Sequence, residues 1–389
     1  MQYAQGSVGP PRFPWSGAAR RVEWPPVPKS GEQVAAQETA AKALKGLVDA
    51  QALARWMDAE GLPGAGELPE LRPIAGGASN EIIELRRGGR RMVLRRPPRK
   101  VPAGRNETML REYRVLSALR DSAVPHARVL GGCDDEGVLG AFFYVMDFVD
   151  GWSPMQTDGW PEPFASDLGL RRGLALELVD AIAALSRVDW RAAGLEGFGK
   201  PEGFLERQVD RWLHHWSRFR FREIPGLEEA GQWLRRRVPR HYPTGIIHGD
   251  YQFANVMFQH AAPARMAAVV DWEMSTVGDP ILDLAWLLMG WPEEGEGDNR
   301  MGYVDYSGMP SRQEIMQRYA AGSSLDLAHI DYYVVLARFK MACVLEGGYA
   351  RYVKGGADNP KMEAFGPIVL DMAARAAELS RSSTLPATS

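Results

Sequence analysis

The sequence is short of cysteine, of surplus basic charge and of long apolar runs, and each shortage excludes a class of protein. Cys133 and Cys343 are the only cysteines among 389 residues, so no disulfide framework can form. This usage fits a reducing compartment and predicts a cytoplasmic protein. With 46 Lys and Arg against 49 Asp and Glu, the net charge is −3, and the basic excess of a nucleic-acid-binding protein is absent.

No stretch reaches the roughly 18–20 apolar residues that a membrane-spanning helix needs, and the N-terminus has no apolar signal core. The most apolar stretch, residues 281–291, carries Asp283 near its start and predicts a buried helix. The sequence also lacks the GxSxG pattern of lipase-type hydrolases and the GxxxxGK[ST] loop of P-loop NTPases. A soluble globular protein with a different kind of site is therefore expected.

The chain is longer than one compact domain, and its pattern changes near residue 150. Residues 1–30 contain six prolines and predict an extended arm, whereas residues 381–389 predict a polar tail. Residues 31–150 predict a first lobe with an added N-terminal helix. Its elements are expected at 32–60 (helix), 71–75, 81–86 and 91–96 (strands), 106–119 (helix), 127–131 and 141–149 (strands).

Residues 151–380 predict a second lobe that is mainly helical. Its helices are expected at 167–186, 203–220, 227–237, 281–289, 311–321, 330–353 and 360–379, with a short β-rich insert at 245–271. The predicted fold class is α+β, with a small lobe built on a mixed β-sheet and a larger helical lobe. Clefts between two such lobes are common ligand sites.

Two segments of the insert carry the residue types that phosphoryl transfer needs. Asp250 and Asn255 lie in His-Gly-Asp-Tyr-Gln-Phe-Ala-Asn, residues 248–255, and Asp271 follows Asn255 by 16 residues. Mg²⁺, which neutralises phosphoryl charge, prefers oxygen ligands such as carboxylates and amide oxygens. A separate carboxylate must orient the attacking hydroxyl and accept its proton. The spacing predicts Asp250 as that catalytic residue and Asn255 and Asp271 as metal ligands.

Taken singly, each part also suits ordinary structure. A His-Gly-Asp triplet fits a turn before a strand, and Asp271 fits a cap at a strand end. His248 is predicted to brace the loop rather than act as a base, because it has no nearby nucleophile partner. Other histidines, such as His241, lack the spacing of metal ligands.

The segments HGDYQFANV and VVDWE resemble the catalytic loop and the metal-binding segment of the aminoglycoside phosphotransferase family. The segment GDP at 278–280, followed by DLA at 283–285, resembles that family's next segment, and the resemblance covers roughly residues 70–350. It implies a protein-kinase-like fold and a small-molecule kinase that uses ATP and Mg²⁺. The residues that match the family's catalytic base and metal ligands are Asp250, Asn255 and Asp271.

The resemblance also implies a nucleotide site in the small lobe. Gly76, Gly77 and Ser79 lie between two predicted strands, where glycine amides can approach phosphates, although a plain β-turn is the alternative. Arg95 stands where kinases carry a phosphate-contacting Lys, and Glu112 on the following helix would pair with it. A surface role is the alternative for Glu112.

Residues 143–149 resemble the strand that leads into the hinge between the lobes of a kinase. The resemblance implies that backbone groups around Asp147 and Val149 bind adenine, and that Val93 and Met146 line the base pocket. Ordinary strand packing is the alternative for Met146. The choice between ATP and GTP and the oligomeric state stay open.

Two kinds of small-molecule hydroxyl acceptor are compatible with the sequence. The acidic loop that contains Glu293 and Glu296 suits a polycationic aminoglycoside. LRRPP at 94–98 and the long N-terminal extension resemble the branch of the family fused to acyl-CoA dehydrogenases, which implies a hydroxyacyl acceptor. Because Arg95 replaces the usual Lys, a pseudokinase, a nucleotide-binding regulatory module without turnover, is the alternative function. The presence of Asp250, Asn255 and Asp271 favours the enzyme.

Overall fold

The computed structural model describes residue 44 and residues 46–74, 80–154, 159–293, 304–356 and 362–387. The predicted arm at 1–30 and the predicted phosphate turn with Gly76, Gly77 and Ser79 lie outside the described residues. Most of the acidic loop after Glu293 lies outside them as well.

The first part of the chain is organised around one five-stranded sheet with the strand order β1-β2-β3-β5-β4. Its elements are α1 (Ala50–Ala59), β1 (Glu70–Pro73), β2 (Glu81–Arg87), β3 (Arg90–Arg96), α2 (Arg105–Ala118), β4 (Val129–Cys133), α3 (Glu136–Leu139) and β5 (Phe143–Asp147). The predicted order of strands and helices is present. The predicted boundary near residue 150 stays a prediction, although the sheet ends at Asp147.

Two local predictions are wrong. Every strand pairing in this described sheet is antiparallel, so the sheet is not mixed. The spacing of apolar residues predicts where strands lie, but it does not show which strands pair or in which direction. The pattern therefore gave no support for a mixed sheet. The helix that ends before Glu60 begins at Ala50 rather than running on from residue 32, because the Asp49 carboxylate caps it by accepting the N–H groups of Gln51 and Ala52.

Strand β5 divides its side chains between two hydrophobic clusters, as the alternation of a strand requires. Phe143 and Val145 pack in a cluster with Leu53 and Met57 of α1. Tyr144, on the opposite face, packs with Met109 of α2 in the larger cluster that continues into the helical part of the chain. Helix α2 is therefore held between the sheet and the helical core, and its side chains can reach both.

The second part of the chain is mainly helical and contains two short antiparallel pairs of strands, β6 with β9 and the hairpin β7–β8. Its elements are α4 (Leu168–Ser186), α5 (Gln208–Ser217), α6 (Leu227–Arg235), β6 (Gly245–Ile247), β7 (Val256–Phe258), β8 (Met266–Val269), β9 (Thr276–Gly278), α7 (Ile281–Met289), α8 (Arg312–Ser323), α9 (Ile330–Val353) and α10 (Phe365–Ser382). Helix α5 is shorter than predicted because Gly203 has a φ of +60° and lies in a turn. Strand β9 was not predicted, and α10 extends past the predicted start of the tail. In the described part of the chain, no helix is long and apolar enough to cross a membrane.

The segment after β5 is joined directly to the β-rich insert. Trp152 N–H donates to the carbonyl oxygen of Phe258 at 2.9 Å, and Phe258 N–H donates to the carbonyl oxygen of Trp152 at 2.8 Å. A Cβ atom on Gly151 would lie 2.6 Å from the Phe258 carbonyl oxygen, so this approach requires glycine. The link fixes the end of the sheet against β7, next to the predicted metal ligands.

Candidate active site

A sharp turn after β6 carries the predicted catalytic residue. Gly249 has a φ of +86°, and a Cβ atom at this position would lie 2.6 Å from the Met274 carbonyl oxygen. Glycine is the residue that adopts this backbone without strain. Asp250 follows this turn and begins the loop that leads to β7. The loop ends in a short 3₁₀ turn at Phe253–Asn255, directly before β7.

The backbone of this turn is hydrogen-bonded to a fully buried carboxylate. Asp283, in the first turn of α7, accepts the N–H of His248 at 2.7 Å and the N–H of Gly249 at 2.9 Å. Burial raises the pKa of Asp283, and the neighbouring His248 and the two amides oppose that rise. This role was not predicted from the sequence, although Asp283 lies in the DLA segment at 283–285 and is the one acid near the start of an otherwise apolar helix.

His248 braces the loop, as predicted. Its ring is fully buried, and its Nε2 lies 2.9 Å from the Val270 carbonyl oxygen. The ring also packs edge-on against Trp272, with centroids 4.9 Å apart. His248 therefore joins the catalytic loop to the segment that carries Asp271.

The side chain of Asp250 accepts three hydrogen bonds, and each donor is neutral. Oδ1 accepts from Gln252 Nε2 at 2.8 Å and from Trp286 Nε1 at 2.9 Å. Oδ2 accepts from Asn255 Nδ2 at 2.8 Å. These bonds orient the carboxylate without neutralising its charge, which suits a group that must align a hydroxyl and accept its proton.

The β7–β8 hairpin brings the two predicted metal ligands together. Val256 pairs with Val269, and Val270 N–H donates to the Asn255 carbonyl oxygen at 2.9 Å. Asp271 follows immediately, with a φ of +65° that turns the chain out of the strand. The hairpin therefore explains how residues 16 positions apart come to lie next to one another.

The donor set suits a hard divalent cation. Asn255 uses Nδ2 on Asp250, so its amide oxygen is the atom left for a metal, and Asp271 adds a carboxylate. Within the described residues no group of three or more His, Cys, Asp or Glu side chains forms a complete metal cage. Two oxygen ligands are what Mg²⁺ uses when substrate phosphates and water supply the rest.

On the small-lobe side, Arg95 and Glu112 form the predicted ion pair, with Arg95 Nη2 3.0 Å from Glu112 Oε1. The Glu112 side chain is 2% exposed and that of Arg95 is 12% exposed, so a surface role for Glu112 is wrong. Burial alone would lower the pKa of Arg95, but the acidic groups around it, Tyr144, Glu112, Asp271 and Glu273, raise it overall. Arg95 therefore stays a cation close to the segment that carries Asp271.

The predicted adenine contacts lie at the end of β5. Met146 is directly opposite Val93 in the β3–β5 pairing, as a shared base pocket requires. Asp147 N–H donates to the Arg128 carbonyl oxygen at 2.8 Å, which leaves the carbonyl of Asp147 as its candidate group for adenine. Val149 follows the strand. The nucleotide-binding roles of these residues stay predictions.

Helix α2 also binds the segments around the catalytic loop. Arg111 donates to the Phe198 carbonyl oxygen at 2.8 Å and to the Ser275 carbonyl oxygen at 3.2 Å. Arg105 lies 3.2 Å from the carboxylate of Glu273, two residues after Asp271. The helix that carries Glu112 is thus fixed to the residues that follow Asp271 and to the loop at Phe198.

A cavity of about 640 Å³ adjoins the catalytic loop. Gly249, Trp286 and Lys340 contribute to its wall. Lys340 of α9 donates from Nζ to the Gly249 carbonyl oxygen at 2.8 Å. Lys340 was not predicted as a site residue, because in the sequence it is one lysine within a predicted helix of mostly apolar residues.

Known proteins resemble this chain along most of its length. A model of the phosphotransferase enzyme family matches residues 70–320. Acyl-CoA dehydrogenase family member 11 of Gallus gallus is 32% identical over 336 residues, which are 82% of this chain and 42% of that protein. The Homo sapiens protein of the same name is 30% identical over 312 residues, or 78% and 39% of the two chains. This chain therefore spans less than half the length of these relatives.

Solved structures show the same architecture. A putative aminoglycoside phosphotransferase from Ralstonia eutropha JMP134 superposes with a TM-score of 0.73 at 29% identity, covering 86% of this chain and 98% of that one. Aminoglycoside phosphotransferase APH(4)-Ia, in a ternary complex with ADP and hygromycin B, gives a TM-score of 0.53 at 13% identity, covering 85% and 98%. The predicted protein-kinase-like fold and both family resemblances are confirmed.

Proposed function

Because the chain belongs to the phosphotransferase enzyme family, we propose that it transfers the γ-phosphoryl group of ATP to a hydroxyl of a small molecule, with Mg²⁺ as cofactor. The observation that carries the proposal is the convergence of Asp250, Asn255 and Asp271 on one hairpin and the turn beside it. Kinase-type chemistry needs a base, an amide oxygen and a carboxylate in this arrangement.

Each residue has one task in the proposed reaction. Asp250 orients the acceptor hydroxyl and takes its proton while the acceptor oxygen forms a bond to the γ-phosphorus. The bond from that phosphorus to the bridging oxygen of ADP breaks, and ADP leaves. Arg95, held by Glu112, binds the nucleotide phosphates. When bound, Mg²⁺ neutralises phosphate charge, and Asn255 and Asp271 are the residues that would hold it.

The turn with Gly76, Gly77 and Ser79 completes the proposed nucleotide site, together with Met146 and the backbone around Asp147 and Val149. The acceptor is an aminoglycoside-like molecule or a hydroxyacyl metabolite. The first choice is supported by the likeness to a putative aminoglycoside phosphotransferase, and the second by the likeness to acyl-CoA dehydrogenase family member 11.

The pseudokinase alternative rests on the replacement of the usual Lys by Arg95. The buried pair with Glu112 supports the enzyme instead, because the replacement keeps a fixed cation at the same place. Metal-dependent ADP release in the presence of a panel of alcohols separates the two functions. Nucleotide binding alone does not, since both functions include it.

The test of the proposal is Asp250→Asn. We expect acceptor-dependent ADP release to fall by at least about a hundredfold, because the base is lost, while ATP still binds. The matched control is Asp134→Asn, which changes an exposed aspartate on the loop after β4 and leaves the rate unchanged. Full turnover by Asp250→Asn would contradict the assignment of Asp250 as the catalytic residue. Absence of ADP release by the wild-type protein with every alcohol tested would favour the pseudokinase.

A further inference from the structure

The cavity beside the catalytic loop lies where an acceptor must bind if the proposed function is correct. Its wall includes Gly249, which precedes Asp250, and Trp286, which donates to the Asp250 carboxylate. The rest of the wall comes from the loop before α5, from α5, α7 and α9, from residues 273–276, and from Arg111 of α2 and Ile247 of β6. A volume of about 640 Å³ is ordinary for a site that encloses a small organic molecule.

The charges of this wall are mostly positive. Among the described residues that line the cavity, Arg111, Lys200, Arg211 and Lys340 are cationic, and Glu273 and Asp283 are acidic. Both acids are already engaged, Glu273 by Arg105 and Asp283 by two backbone N–H groups. A polycation would therefore meet repulsion and find no available carboxylate in this wall.

The cations differ in how much binding capacity they have left. Arg111 is committed to two backbone carbonyls that join α2 to the large lobe. Arg211 is exposed at the cavity mouth, and among the described residues no carboxylate forms an ion pair with it. The ring of Trp212 lies 5.1 Å from its guanidinium, and the ammonium of Lys340 is near enough to interact with it electrostatically. Arg211 is therefore available to a ligand.

Lys340 is the cation nearest to the proposed chemistry. Its Nζ donates to the Gly249 carbonyl oxygen at 2.8 Å and lies 4.2 Å from the centroid of the Trp286 ring. Among the described residues, the Gly249 carbonyl is the one hydrogen-bond acceptor for the three N–H donors of the ammonium. Desolvation by the surrounding protein lowers the pKa of Lys340 to about 8, although Asp250 and Asp283 oppose the decrease. A bound anion would satisfy the remaining donors and compensate this cost.

Apart from the polar residues Gln208, Ser275 and Thr276, the uncharged side chains of the wall are apolar or aromatic. The amide of Gln208 is already engaged, because it donates to the Phe204 carbonyl oxygen and accepts from Trp212 Nε1. The apolar and aromatic residues of the wall include Phe198, Phe204, Trp212, Leu282 and Leu336. These side chains suit a hydrocarbon body better than a sugar, whose hydroxyls would need partners when they leave water. The cavity therefore joins a cationic patch to an apolar surface, next to the catalytic carboxylate.

We infer that this cavity binds the acceptor through an anionic oxygen group, a carboxylate or a phosphate, that contacts Lys340 and Arg211. The apolar part of the acceptor packs against Trp212 and Leu336, and its hydroxyl reaches Asp250. The inference deepens the proposed function and rests on it. Lys340 and Arg211 then determine specificity, because they select an acidic acceptor over a polycationic aminoglycoside.

Calorimetric titration of the full chain with octanoate, octyl phosphate and octylamine tests this inference without any turnover. We expect the two anions to bind, and octylamine to bind at least about tenfold more weakly. Lys340→Met should weaken binding of the anions by about tenfold or more, and Arg211→Gln by several-fold. The stronger of the two anions identifies the acidic group. Lys354→Met, a change of an exposed lysine at the end of the same helix, is the matched control and should leave the affinities unchanged.

Binding of octylamine as tight as that of the anions, absence of anion binding at millimolar concentration, or unchanged affinity in both variants would overturn the inference. If Lys340→Met does not fold, Arg211→Glu at the exposed mouth serves instead and should abolish anion binding. Loss of ADP release for all acceptors with intact anion binding would refute the proposed function alone. ADP release with hygromycin B that is insensitive to Lys340→Met would refute the anion site alone.

Discussion

Glu112 of the small lobe and Asp250 of the large lobe are both carboxylates at the proposed cleft, yet their partners differ in kind. Glu112 is buried and lies 3.0 Å from the guanidinium of Arg95. Asp250 is bonded by Gln252, Asn255 and Trp286, all of them neutral. The nearby ammonium of Lys340 donates to a backbone carbonyl instead.

The difference in partners indicates different roles. Glu112 positions a cation, whereas the negative charge of Asp250 is not compensated and can act on a substrate. A carboxylate in contact with a guanidinium in a buried site has most of its charge compensated, so it positions its partner. A carboxylate fixed by neutral donors is oriented but still attracts a proton or a metal-bound ligand. We therefore expect changes on the two sides to affect different quantities.

Arg95→Ala is the strongest test on the small-lobe side. We expect kcat/KM for ATP to fall about a hundredfold, because the cation for the phosphates is lost. Stability should fall too, by about 3 kcal/mol, because Glu112 would be left buried without its partner. The two effects are measured by ADP release at varied ATP and by urea unfolding.

The double variant Arg95→Ala/Glu112→Gln distinguishes a structural role of Arg95 from a role in nucleotide binding. It removes the unpaired charge, so most of the stability should return while kcat/KM for ATP stays low. Arg95→Lys should keep part of the activity, because the positive charge remains but the planar guanidinium, which can donate two parallel hydrogen bonds to a phosphate, is lost. Wild-type ATP kinetics in Arg95→Ala would show that the phosphate cation lies elsewhere.

Local spacing was enough to predict Asp250, Asn255 and Asp271, because a hairpin and the turn before it bring them together within 22 residues. The pairing of Arg95 with Glu112 was also predicted, from the resemblance of the strand and the following helix to those of kinases. Asp283 and Lys340 were not, because they reach the loop from α7 and α9 through helix packing. All residues of α9 except Arg351 and Val353 are buried or partly buried, so its apolar pattern does not mark the side that faces a cavity.

The pH dependence of anion binding tests the role of Lys340 on the large-lobe side. With a pKa of about 8, Lys340 is charged below that pH and loses its proton above it. We expect the affinity for octanoate to fall up to about tenfold between about pH 7 and pH 9, since the carboxylate of octanoate is ionised throughout. Calorimetric titration at several pH values gives the profile.

Three other charged groups face Lys340: Asp250 from the catalytic loop, Asp283 from α7 and Arg211 from α5. Lys340→Arg separates their effects, because a guanidinium keeps its charge over this range and should bind octanoate without the pH dependence. A decrease that persists in Lys340→Arg would show that a group other than the lysine is responsible.

Trp286→Phe changes the site least and tests the neutral support of Asp250 directly. It removes the indole N–H that donates to Asp250 Oδ1 but keeps an aromatic ring beneath Lys340. We expect kcat to fall about fivefold, since Gln252 still donates to the same oxygen, with octanoate affinity unchanged. Gln252→Ala, which removes the other donor to that oxygen, should give a similar decrease. If Trp286→Phe instead weakens octanoate binding and leaves kcat unchanged, the main role of Trp286 is to support the ammonium of Lys340. In that case the neutral donors alone do not explain how the Asp250 carboxylate is oriented.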